Sequence, residues 1–125
     1  MSSNTFYRVG RIRDGEQVGA VIDVDYYLDA TEQIDDWLDA RMYEVAAEAP
    51  KDYNEKYHRI PQHLWDDEWN AHADRLNRIG EAERRLWGEQ WDENNNPAVP
   101  NADYVLTVGN EVFWIEKVKE QAKAS

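Results

Sequence analysis

The chain has 125 residues, 42 % of them hydrophobic and 12 % aromatic, and it contains no cysteine. That length fits one domain over residues 1–125 with enough mass to bury a core, and the missing thiols exclude disulfides, thiolate metal sites and cysteine nucleophiles. Twenty-six acids against fourteen bases give a net charge of −12, which disfavours direct contact with nucleic acid or anionic membrane and favours attraction to basic surfaces.

The start, Met-Ser-Ser-Asn-Thr, lacks the basic stretch and apolar run of a secretory signal. No apolar run nears the ~20 residues of a membrane span. The expectation is a cytoplasmic protein. Residues 1–5 read as a loose end. Phe6–Ile12 and Gln17–Val24 read as two strands joined by Arg13-Asp14-Gly15-Glu16, because an Asp-Gly turn supplies the positive φ that a tight hairpin needs.

The spacing then predicts a helix from Thr31 to about Ala49, capped by Thr31 or Asp29 and stopped by Pro50. Ile34, Leu38, Met42, Val45 and Ala49 form its apolar face, with Trp37 on the flank. On the far side Glu32, Asp35, Asp36 and Asp39 share an arc of about 100°, with Tyr43 beside them and no basic residue inside it. Residues 50–63 hold two prolines and no clean period. They read as a connection packed over the core through Tyr53, Tyr57 and Ile60.

A second, longer helix is predicted over Leu64–Asp92, with Pro61 suited to its first turn. Trp65, Trp69, His72, Leu76, Ile79, Leu86, Trp87 and Trp91 fall on one broad side. Asp66, Asp67 and Glu68 near its start and Arg84 and Arg85 near its end match the helix dipole. Asp74–Arg78 and Glu81–Arg85 are spaced as i,i+4 ion pairs. Trp65 and Trp91, nearest the two ends, are the indoles expected to be exposed.

Asp92–Asp103 reads as an exposed loop. Tyr104–Val108 and Glu111–Ile115 form a second hairpin around Gly109-Asn110, with Leu106 opposite Phe113 and Tyr104 opposite Ile115. The other side of that hairpin (Val105, Thr107, Val112, Trp114) is too apolar for a plain solvent face. Either helices cover it or a partner does. Residues 116–125 read as a short helical tail, frayed from 120. The whole is an α+β fold in the order ββ-α-α-ββ, one antiparallel sheet of two hairpins packed with two main helices.

Chemical motifs are sparse. His58, His63 and His72 lack the i,i+4 spacing of a helical zinc site, so no metal and no cofactor are expected. Serine occurs only at 2, 3 and 125, away from any candidate base. The glycines are scattered and form no phosphate-cradling loop. Asp23 and Asp25, with His72, carry the lesser reading of a small acid–base enzyme. No residue is assigned a catalytic role.

The leading reading is a non-enzymatic interaction protein. Glu32, Asp35, Asp36, Asp39 and Tyr43, with Asp66 and Asp67, would dock on a basic partner, a nucleic-acid-binding protein that the chain inhibits by occupying its groove. Carboxylates one helical turn apart lie roughly 5–6 Å from each other at Cβ, the scale of backbone phosphates. Small acidic inhibitors without cysteine suit viruses and mobile elements. The second reading is a structural or assembly subunit, a homo-oligomer or particle component, that makes contact through Trp65, Trp91, Val105, Val112 and Trp114.

Overall fold

The computed structural model describes the backbone of residues 3–121 and the side chains of 5–119. Strand β1 (Ser3–Arg13) turns at Asp14-Gly15, whose φ values of 53° and 81° are those the hairpin needs. The return strand is not the single run expected over Gln17–Val24. It is split into β2 (Glu16–Gln17) and β3 (Ile22–Val24), both paired with β1. Ile12 opposes Gln17 and Val9 opposes Ile22, so the return side carries more residues than β1 does and loops out at Gly19, where φ is 69°.

Strands β4 (Tyr104–Val108) and β5 (Glu111–Gln121) form the second hairpin, with Leu106 opposite Phe113 and Tyr104 opposite Ile115, as the alternation requires. Strands β1 and β5 then pair antiparallel from Ser3↔Gln121 to Arg13↔Glu111. The two hairpins therefore join in one antiparallel sheet, ordered β2-β1-β5-β4 with β3 also on β1.

That long pairing corrects both chain ends. Residues 3–5, expected to be loose, belong to β1, and residues 116–121, expected to be helical, continue β5. Residues 1–2 and 122–125 of those expectations lie outside the described part. A short isolated helix is marginal in water. Here each strand end gives the other's backbone groups a hydrogen-bonding partner instead.

Helix α1 (Tyr27–Ala47) starts four residues before Thr31, and neither Asp29 nor Thr31 caps it. Thr31 Oγ1 instead donates to the Leu28 carbonyl within the first turn. Aromatic packing sets the start: the Tyr27 ring meets Tyr7, Trp91 and Tyr104 at centroid distances of 6.1, 6.5 and 5.1 Å. A short helix α2 (Tyr53–Lys56) and a 3-10 turn at Gln62–Leu64 follow.

Helix α3 (Asp67–Trp87) is shorter than the apolar pattern suggests at both ends. Trp65 is extended, and the Asp66 side chain caps the helix by accepting from the Trp69 amide at 2.9 Å. Gly88 ends it, and Glu89 then takes φ of 54°. The expected Asp74–Arg78 and Glu81–Arg85 pairs do not form. Arg75 reaches Glu48, the residue that ends α1, at 2.9 Å and Arg85 reaches Asp92, so these arginines tie elements together rather than line one helix.

The two long helices cover one face of the sheet. Ile34, Leu38 and Val45 of α1 and Ile79 and Leu86 of α3 close over Val9, Leu106, Phe113 and Ile115. On the opposite face the chain covers itself. Val99 and Ala102 of the 92–103 connection, with Val21, close over Ile12, Val105 and Trp114. The Asn94 amide donates to the carbonyls of Val99 and Ala102 at 2.8 and 3.1 Å and folds that connection into a lid, so it is less exposed than its composition suggests. Among the described residues no helix is long and apolar enough to cross a membrane.

Candidate functional site at the α1–α3 seam

Helix geometry divides the acidic stripe. Ile34, Leu38 and Val45 point at the sheet. About 100° further round α1, half-buried Asp35 and exposed Asp39 border α3, whereas Glu32 and Asp36 are exposed and outside that contact. The helices run antiparallel, since Glu48 meets Arg75 toward one end and Asp39 meets Glu83 toward the other. Carboxylate oxygens of Asp35, Asp39 and Glu83 all lie within 4.8 Å of one another.

Three like charges that close are costly, and a proton relieves the cost. Burial pushes the Glu83 carboxyl up to about 7, helped by its hydrogen bond to Asp39 and then by the charges of Asp39 and Asp35. The Asp35 carboxyl is raised as well, first by burial and then by Asp39, while the Trp87 indole pulls it back. Glu83 Oε1 is shut off from solvent, and among the described residues no N–H group bonds to it. Near neutrality Glu83 is therefore part protonated, and the ridge carries less charge than a count of its carboxyls gives.

Among the described residues, Glu32, Asp35, Asp36, Asp39 and Glu83 form no ion pair with a base. Six of the described cations are committed elsewhere. Glu111, only 5 % exposed, takes Arg41 Nε at 2.8 Å and Arg13 Nε at 3.4 Å. The seam thus combines unpaired carboxylates with two exposed rings, Tyr43 at 79 % and Trp87 at 58 %. Its chemistry suits a cationic group. Asp35, Asp39 and Glu83 are also the one group of three close donors among the described residues that could hold a hard metal ion. They supply three of the roughly six to eight oxygens that calcium takes.

The other residues picked out from the sequence are scattered. Asp67 lies sixteen residues before Glu83 on α3, about 24 Å away by helical rise. Asp66 is occupied as the cap, so neither joins the seam. Val105 (3 % exposed) and Trp114 (6 %) lie under the chain's own lid, which removes them from any apolar interface. Trp65 and Trp91, expected to be exposed, are half-buried. Their indoles donate to the Ile60 carbonyl at 2.8 Å and to the Tyr27 hydroxyl at 3.1 Å. Val112 is half-buried beside Trp114. Asp23 pairs with Arg8 at 3.1 Å in the open, Asp25 is exposed, and His72 is buried on α3.

Sequence reasoning missed Glu83 and placed Trp87 in the core. The signal for Glu83 was present: it falls four residues after Ile79 and three before Leu86, inside the apolar stripe of α3. An acid there must meet something across the packing seam. Comparison with protein-family models, with curated proteins and with solved structures finds no match to this chain, so the reading of the seam rests on its own residues.

Proposed function

We propose that the protein is a non-enzymatic interaction protein that docks its α1–α3 ridge on the basic surface of a nucleic-acid-binding partner and blocks that surface as a polyanion. One observation carries this reading. Four consecutive stripe acids, Glu32, Asp35, Asp36 and Asp39, stay without a basic partner among the described residues, although the chain brings arginines to other acids. Like charges on one helix cost a few tenths of a kcal/mol per pair. A partner's lysines and arginines recover that cost on binding. Tyr43 and Trp87 supply the aromatic contact area that commonly anchors an interface. Association by this route is fast and sensitive to salt.

Competition tests the proposal. Basic duplex-binding proteins are loaded with labelled DNA, and the chain is titrated in at low and at high salt. The expected result is displacement at low salt that weakens strongly at high salt. A variant combining Glu32→Gln, Asp35→Asn, Asp36→Asn and Asp39→Asn should displace nothing. Equal displacement by wild type and variant, or displacement indifferent to salt, would overturn the polyanion mechanism.

A further inference from the structure

His72 is the one buried imidazole, 4 % exposed, on the face of α3 that the 50–66 connection covers. Neither ring nitrogen meets a hydrogen-bond partner among the described residues. Its contact from above is Tyr53, set edge-on with ring centroids 4.7 Å apart. Tyr53 is in turn the only buried residue between 51 and 66, and it also packs on Trp69 at 5.3 Å and Trp65 at 5.8 Å. Beyond the hydrogen bonds at its last two residues, where Asp66 caps α3 and Asn70 donates to the Trp65 carbonyl, the connection is anchored on α3 by this phenol ring, and His72 forms part of the seat for that ring.

We propose that His72 is an acid-released latch: its neutral ring seats Tyr53 and holds the 50–66 connection on α3, and protonating it frees the connection and uncovers Trp65 and Trp69.

A charged imidazolium cannot stay in that seat. Both its N–H groups would be donors without acceptors, and an unpaired buried charge costs far more than one aromatic contact gives back. The charged and titratable groups around it do not rescue it. From α3, Arg75 opposes a second positive charge. From the end of α1, Glu48 favours it, but Glu48 is already paired with Arg75 at 2.9 Å and is more than half exposed. From the connection there is Tyr53, a phenol that burial keeps neutral. Burial likewise lowers the His72 value below its ordinary one, with Arg75 adding to the effect.

The sign follows. The released state takes up the proton more readily than the latched one, so latching is full above the ordinary histidine range and weakens as pH falls through it. The response is local because the sheet core beneath α1 and α3 does not include the connection.

Amide hydrogen exchange on the intact chain at about pH 7.5 and about pH 5, corrected for intrinsic rates, tests the latch. Protection across residues 51–66 should fall at least about tenfold on acidification, while β1 and β5 keep theirs. His72→Phe fills the seat with a ring that does not titrate and should hold the connection closed at both pH values. NMR titration of the wild-type ring should show His72 protonating as protection is lost. Constant protection of 51–66, loss that persists in His72→Phe, or equal loss over the whole chain would each overturn the latch.

Discussion

Glu83 of α3 and Asp39 of α1 place carboxyl oxygens within 4.8 Å of each other across the helix seam, and among the described residues neither pairs with a base. The pair makes the interior edge of the acidic ridge a proton-binding element. It also couples the packing of the two long helices to the charge presented outside.

A pH-dependent stability follows from that contact. Burial and Asp39 raise the folded Glu83 value from 4.5 to about 7. The folded chain therefore holds a proton that the unfolded chain has released, and stability from this site is full at acid pH and lost as pH rises through about 7. Glu83→Gln keeps the neutral form at all pH values. It should match wild type at about pH 4 and exceed it at pH 8 by roughly 1–2 kcal/mol, since water at the seam rim screens part of the repulsion. Urea melts of both proteins at the two pH values check this. A variant-minus-wild-type difference that is the same at both would show that Glu83 does not titrate in this range.

Gly10 is fixed by contact rather than by backbone conformation. A Cβ at that position would sit 2.5 Å from Cζ2 of Trp114, whose indole lies across it on the neighbouring strand. Gly10→Ala must push the indole against the 92–103 lid. The expected loss is about 2–3 kcal/mol, with red-shifted tryptophan emission as Trp114 gains water. Unchanged stability would mean that the lid moves at no cost.

What the sequence made legible was local. The hairpin registers follow from a period of two and from two-residue turns, so Leu106 against Phe113 needed no tertiary information. The α1 core face at Ile34, Leu38 and Val45 follows in the same way from a period of 3.6. The late start and early end of α3, set by the Asp66 cap and Gly88, were local misreadings, whereas others depend on partners distant in sequence. Tyr27 starts α1 because Tyr7, Trp91 and Tyr104 converge on it. Residues 116–121 are strand because β1 runs beside them. The stripe of the candidate site was readable, but its division into rim and seam was not, because that needs Glu83 brought across from α3.

Glu111 shows what happens when an acid is given bases. It is buried at the start of β5 and joins Arg13 on β1 to Arg41 on α1, so it ties the sheet to the helix layer. Glu111→Gln keeps the shape and removes the charge, leaving Arg13 without its carboxylate and Arg41 with the exposed Glu44 alone. The expected cost is about 2–4 kcal/mol, measurable as a shift in the urea midpoint. Glu111→Gln together with Arg41→Met should recover part of that loss. A single variant as stable as wild type would show that water already neutralises the arginines.

The ridge itself should weaken the fold that carries it. A net charge of −12 on 125 residues disfavours compaction through self-repulsion, and the unpaired acids Glu32 and Asp36 add local like-charge pairs on α1. Salt screens charges separated by more than roughly 8–10 Å. Wild type should therefore melt at a higher temperature in high salt than in low salt. Glu32→Gln with Asp36→Asn should be more stable than wild type at low salt by a few tenths of a kcal/mol for each pair removed, and the gap should close as salt is added. If the double variant is less stable at low salt, those carboxylates are paired within the molecule. The ridge would then have no free charge to offer a partner.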